Sequence, residues 1–352
     1  MPRGLDIEVV EASLKLVRDV LGIGRGQEVV ITADTLSDWR VVEAVASSVR
    51  LVGGKPLVTW YPAPSGVGKA VDRAVPSRSL VSALKSADAW IELNKAWLLY
   101  SSIYDEVLSE SRLKYMCLVG MDADMMVRMI GRVDVKTLYE FQRALARITG
   151  EQRKMRIMSP SGTDLSFEND PERPVIAEGE VAGPGEYMLF GQVSWAPIED
   201  SIDGVVVIDG SLWPPEELGL LRSPVKLYIE RGRIVDIEGG VEAGIFKSWL
   251  ESFRDDRMYY LAHISYGCNP GARLSGNILE DERVWGVVDF GFGSQAEAFK
   301  GSLGLAASHT DGICTLPTVA GDKSIILENG AYVHPDLAGL AEKLLASYRG
   351  ES

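Results

Sequence analysis

Histidine is nearly absent from this chain. Its 352 residues carry three, His263, His309 and His334, so any imidazole chemistry must use some of those. Cysteine is as scarce, with Cys117, Cys268 and Cys314 and no C-x-x-C pair. An odd, unclustered set argues against a disulfide framework and a thiolate zinc site, and makes a reducing interior the default. Positive charge is short as well: 36 Lys and Arg stand against 50 Asp and Glu, a net charge of −14. A phosphate backbone needs a basic surface, so no nucleic-acid partner is expected. No apolar run reaches the roughly 18 residues of a membrane span. The stretch Met1–Asp6 lacks the apolar core of a signal peptide. No membrane partner is expected, and a cytoplasmic location is. A G-K-[ST] triplet is missing too. The glycines of Gly22-Ile23-Gly24-Arg25-Gly26 precede the first strand pattern instead of following it, so they read as a helix cap and turn, and no bound nucleotide is expected.

What is present is the composition of an ordinary globular protein, 46% apolar and 24% charged, long enough for two domains. Residues 1–150 alternate helical and strand patterns. Helical stripes at 14–21, 38–52 and 79–87 separate β-branched runs at 28–33, 56–60, 88–93 and 115–119, and two helices run on to about Thr149. Strands separated by helices predict crossover connections and an open, Rossmann-like parallel sheet. The pattern changes near residue 151. Residues 151–352 read as hairpins around Pro160-Ser161-Gly162, Arg231-Gly232 and Asn329-Gly330, with strands at 205–208, 258–266 and 284–292 and a helix at 242–253. The expected fold is an α/β N-terminal domain with an open parallel sheet, 1–150, joined to a β-rich α+β domain, 151–352, that holds the site.

The candidate chemistry lies in the second half. His263 opens a stretch that closes 46 residues later at His309-Thr310-Asp311. In an extended segment residues i and i+2 share a side, so His309 and Asp311 can face one point, and His263 from a neighbouring strand can complete a three-ligand face. Two His and one carboxylate with open positions suit mononuclear Fe(II), and also zinc or manganese. His334 reads as a turn residue before a last helix.

Four stretches carry a resemblance. Gly191-Gln192-Val193-Ser194-Trp195-Ala196-Pro197-Ile198-Glu199-Asp200-Ser201 resembles a G-E-V-x-x-A-P-x-E-D-S segment of the thermophilic metalloaminopeptidases, the aminopeptidase T and S family. Tyr266-Gly267-Cys268-Asn269-Pro270 resembles that family's G-x-G-x-N-P, Trp285–Gly293 its G-T-V-H-I-A-L-G, and His309-Thr310-Asp311 its H-x-D. The resemblance covers nearly the whole chain. Its departures follow a pattern: Gln192 stands for a metal-binding Glu, His263 for another, and Asp289 for a His. A two-metal hydrolytic clamp needs both ions held. The altered set resembles instead the 2,5-dihydroxypyridine 5,6-dioxygenase branch, with His263, His309 and Asp311 as ligands of one Fe(II) (zinc, cobalt or manganese being alternatives).

That resemblance implies an oxidoreductase using a small-molecule substrate and O2, assembled as a homo-oligomer. It implies catalytic roles for Tyr100, Gln192 and Glu199, and substrate contacts for Trp195, Asn269 and Ser294, with an added metal contact from Asp289 or Ser294 left open. Tyr100 falls where the dioxygenases carry a proton-accepting histidine. A metal-dependent aminopeptidase, or a non-catalytic member of the superfamily, is the alternative.

Overall fold

A computed structural model describes residues 5–66 and 68–350. Packing divides the chain into two compact units: residues 1–133 with 179–190, and residues 134–178 with 191–352.

The first unit is built on a five-stranded sheet, all parallel. Its order is Lys55–Tyr61, Glu28–Asp34, Ala89–Glu92, Lys114–Cys117 and Gly185–Met188. Val29, Val30 and Ile31, with Ala89, Trp90 and Ile91, are buried in the runs expected of a parallel sheet covered on both faces. Helix Trp39–Leu51 starts where the Asp38 side chain accepts from the Arg40 amide, and buries Val41, Val42, Val45 and Val49. The glycine-rich turn after the first helix has Gly22 at φ +58°, a conformation that glycine adopts at little cost.

The second unit holds two antiparallel sheets. One has eight strands, ordered Arg233–Gly239, Val225–Glu230, Asp203–Ile208, Asp164–Glu168, Lys154–Met158, Thr318–Gly321, Ile325–Glu328 and Ala331–Tyr332. The other has seven, ordered Gly219–Leu220, Ser211–Trp213, His309–Cys314, Val288–Gly293, Leu261–Gly267, Gln192–Trp195 and Ile176–Ala177. The predicted hairpins at Arg231-Gly232 and Asn329-Gly330 form as read. His334 caps the last helix, Pro335–Arg349, by accepting from the Asp336 amide.

Two placements differ from the sequence reading. Helix Val135–Gly150, assigned by pattern to the first half, packs in the second unit, with Phe141 against Trp285 and Tyr332 at ring-centroid distances of 5.1 and 4.9 Å. Its apolar stripe is legible, but periodicity says only that a face is buried, not against which sheet. Strand Gly185–Met188, in a Gly- and Pro-containing stretch with no strand signal, returns to the first sheet and pairs parallel with Lys114–Cys117. The units therefore divide at residue 133, with a return at 179–190, and not at a single point near 150.

Candidate metal centre and active site

Three neighbouring strands of the seven-stranded sheet build the site. Strand Leu261–Gly267 pairs with Val288–Gly293, which pairs with His309–Cys314. Across these strands His263 stands opposite Gly291 and Gly291 opposite Asp311, while His309 stands opposite Gly293. Directly paired residues share a face, so both imidazoles and the carboxylate rise from one side. A bulge at Ala262 is what places His263 there. Leu261 pairs with Phe292, but His263 pairs with Gly291, so the extra residue turns two positions that would share a face onto opposite ones.

Gly291 supplies the space. A Cβ there would lie 2.3 Å from Nε2 of His263, far inside van der Waals contact. The ring lies over this bare backbone and stacks on His309, centroids 5.1 Å apart at 20°. Phe299 closes another side at 5.4 Å.

The donor atoms form a near-equilateral triangle. His263 Nε2 is 3.1 Å from His309 Nε2, His309 Nε2 is 3.1 Å from Asp311 Oδ1, and His263 Nε2 is 3.4 Å from the same oxygen. Donors about 2.0–2.2 Å from one ion, at right angles to one another, stand about 3 Å apart. The triangle fits one divalent ion with its remaining positions open. Charge says the same. Burial works to raise the Asp311 pKa, but the His309 and His263 rings outweigh it and hold the carboxyl well below its usual range. Burial lowers His263, whereas at His309 the Asp311 carboxylate overcomes burial and raises the ring. The carboxylate calls for a cation at the centre.

Two buried acids, Glu282 and Asp289, flank the triangle. Burial, with Asp311 nearby, pushes Glu282 up to about 7, opposed by Arg283 and by a hydrogen bond from Gln192. Asp289 is pushed up by burial and by Asp311 and Glu282.

The remaining candidates separate. Gln192 is buried on strand Gln192–Trp195, beside Glu282. Glu199 is not placed as an acid or base. Arg173 grips both its oxygens at 2.9 and 2.8 Å, and Gln295 and the Ser302 amide donate to Oε1. Burial would raise its pKa, yet these partners bring it down to about 2, so it anchors the segment that carries Phe299. The substrate contact expected of Trp195 does not fit its place either: it points to the other face of its strand, stacks on Tyr266 at 4.7 Å and donates to Asn169. Asn269 is fully buried and its Oδ1 caps the Gly271 amide. The Ser294 hydroxyl donates to the carbonyls of Ala306 and Ser308 and accepts from the Ala306 amide, bracing the approach to His309. Tyr100 belongs to the first unit, where it takes φ +63° and packs edge-on to Tyr104.

Gly291 and Glu282 were missed in the sequence. The alternation Phe290-Gly291-Phe292-Gly293 is a signal for the first, because glycine inside a strand marks close approach. Glu280-Asp281-Glu282-Arg283 is a run of four charged residues, and all four are buried.

Known proteins bear on this arrangement. The family described as NicX, 2,5-dihydroxypyridine 5,6-dioxygenase, matches residues 9–306. A 2,5-dihydroxypyridine 5,6-dioxygenase of Pseudomonas putida is 26% identical over 310 residues, 84% of this chain and 83% of that protein. A solved structure of the 2,5-dihydroxypyridine dioxygenase from Pseudomonas putida aligns with a TM-score of 0.74 at 21% identity, covering 93% of this chain and 98% of that one. Wild-type AmpT from Thermus thermophilus aligns with a TM-score of 0.64 at 15% identity, covering 93% and 99%. At those identities the two structures speak for the fold alone.

Proposed function

This chain belongs to the 2,5-dihydroxypyridine 5,6-dioxygenase family, and from that premise we propose that it is an iron(II)-dependent enzyme that opens a dihydroxylated pyridine or similar N-heterocycle with O2. In that reaction the ring bond between carbons 5 and 6 breaks and both oxygen atoms enter the product, so no outside reductant is consumed. The observation that carries the reading is the donor triangle of His263, His309 and Asp311, with edges of 3.1–3.4 Å on one sheet face.

His263, His309 and Asp311 would hold iron(II), which would supply electrons and open positions for a chelating substrate and O2. The residues do the rest. Two neutral imidazoles and one carboxylate leave a net positive charge for a substrate hydroxylate. All three ligand side chains are nearly buried, at 12–14% exposure, which excludes bulk water and strengthens every charge interaction inside. Gln192, neutral where a metal-binding carboxylate would carry charge, donates to a substrate oxygen without competing for the ion. Phe299 offers a flat apolar wall to the ring. Tyr100, by the family resemblance, takes the role of the proton acceptor; a phenolate is harder to reach at neutral pH than a free imidazole, which calls for an acidic substrate hydroxyl.

The same reading puts the enzyme in the cytoplasm, where its three buried thiols and a ferrous ion stay reduced, and as a homo-oligomer. Among the described residues no helix is long and apolar enough to cross a membrane.

The test is anaerobic reconstitution with iron(II), followed by oxygen uptake on dihydroxypyridines and catechols. One iron per chain and one O2 consumed per ring opened is the expected result. Cleavage of leucyl peptides by zinc- or cobalt-loaded protein, with no oxygen uptake on any ring, would replace this reading with the aminopeptidase one.

A further inference from the structure

One group beside the site has no evident reason to be there. Asp289 is fully buried near the start of strand Val288–Gly293, and neither of its oxygens has a hydrogen bond of normal geometry, the Ser265 hydroxyl being the donor that approaches it. A buried carboxyl without partners is among the costliest groups a fold can retain, and each such group asks for a cause. It is not a fourth ligand of the triangle, because it lies behind a ligand. Its Oδ2 is 3.9 Å from Nδ1 of His263, whereas the opposite ring nitrogen, Nε2, faces His309 and Asp311.

The 3.9 Å gap is too long for a direct hydrogen bond. Ser265 spans it. Ser265 stands directly across from Asp289 in the sheet, and its hydroxyl lies 3.2 Å from the same Nδ1. On its other side it meets Ser194 Oγ at 3.0 Å, again directly across the sheet. A buried polar row, Ser194–Ser265–Asp289, thus crosses three strands one rung from the ligand row. Hydroxyl hydrogens rotate to suit their neighbours. As placed, the Ser265 hydroxyl donates to Ser194; turned about its C–O bond, the same hydrogen serves Asp289, which the hydroxyl also approaches, and the Ser265 oxygen can accept from His263.

An imidazole that ligates through Nε2 carries its proton on Nδ1 and needs an acceptor for it. We infer that Asp289 is a positioning residue for His263: acting through the Ser265 hydroxyl, it holds the ring in the Nδ1–H tautomer and fixes its plane, so that Nε2 offers its lone pair to the ion. This rests on the ligand set of the proposed function. His309 is backed differently: its Nδ1 has no side-chain partner, and a backbone group of Ser294 lies against the ring instead of a carboxyl. The two ligand rings are therefore held unequally, which gives the inference an internal control.

The scarcity of histidine makes the test clean. Protein labelled with ¹⁵N-histidine gives three imidazole spin systems. His334, whose Nδ1 accepts from the Asp336 amide, is fixed as the opposite tautomer and serves as reference. Zinc is the diamagnetic probe, its affinity is measured by competition titration, and the metal-free protein is melted alongside. In the wild type zinc shifts both His263 and His309. Asp289→Asn keeps the shape of the side chain and exchanges one carboxyl oxygen for an N–H donor. It is expected to weaken zinc binding by about ten- to a hundredfold, to change the His263 Nδ1–H signal while His309 stays in place, and to leave the metal-free melting temperature unlowered. Ser265→Ala is expected to act in the same direction.

Unchanged zinc affinity with an unmoved His263 signal in Asp289→Asn overturns the inference. So does an affinity loss that tracks a lower metal-free melting temperature and disturbs both histidines alike, which is the mark of a merely structural carboxyl. Zinc that leaves both histidines unmoved in the wild type overturns the ligand set, and the inference falls with it.

Discussion

A single hydrogen atom decides whether His263 can reach its partners. Gly291 has no side chain under the imidazole, and a methyl group there would sit 2.3 Å from Nε2. Gly291→Ala should tilt His263 off the triangle and cost about 1–3 kcal/mol of stability from overpacking. Metal affinity should fall by at least about tenfold, since in the proposed ligand set the ring meets the ion directly. Calorimetric titration beside circular dichroism checks this, and native-like affinity in a folded Gly291→Ala protein would show that the ring does not ligate. At this scale the sequence disclosed the candidate donors and concealed their supports. His263, His309 and Asp311 were legible because histidine is scarce and H-x-D on a strand aims two donors one way. Glu199 and Trp195 sit in a recognisable segment, but a sequence shows neither the Arg173 that saturates one nor the Tyr266 under the other.

At the scale of elements, the bulge at Ala262 and the segment from Gln295 to Ser302 shape the site. The sequence read 258–266 as one strand; in the structure residues 256–259 form a helical turn and the strand starts at Leu261. A bulge has no composition signature, so the register that aims His263 was out of reach. The segment beyond is tied down by Glu199. Its folded pKa of about 2 lies below the reference value of 4.5, so the ionised pair stabilises the fold above pH 4.5 and its contribution is lost as pH falls toward 2. The contribution amounts to about 1–3 kcal/mol once solvent screening is discounted. Glu199→Gln should therefore melt below wild type at pH 7, and the gap should close between pH 4.5 and 2. Thermal melts across that range test it; a constant gap would mean that packing, not charge, is what Glu199 supplies. With the segment loosened, Phe299 loses its support and KM should rise more than kcat falls.

Over the whole molecule, net charge acts on the substrate before any contact does. A chain at −14 repels an anionic hydroxypyridine. Raising ionic strength from about 10 to 200 mM shortens the screening length from about 30 Å to under 10 Å. KM for the anionic form of the substrate should fall with it, while the neutral form stays unaffected. Steady-state kinetics at matched pH decides the point, and a KM that rises with salt would reveal a local positive field that overrides the net charge. The architecture was legible at this scale: a parallel α/β sheet, then an antiparallel β-rich region, each announced by its own hydrophobic period.

The chain crosses between its two units three times, after residues 133, 178 and 190, and strand Gly185–Met188 belongs to a sheet whose other members end at Cys117. This stitching makes the protein resistant to modular inheritance. A gene fusion or recombination event that exchanged everything before residue 150 would carry away a helix that belongs to the second unit and leave behind a strand that belongs to the first. Only a coordinated exchange at three junctions moves either unit whole, so the two halves are bound to descend together.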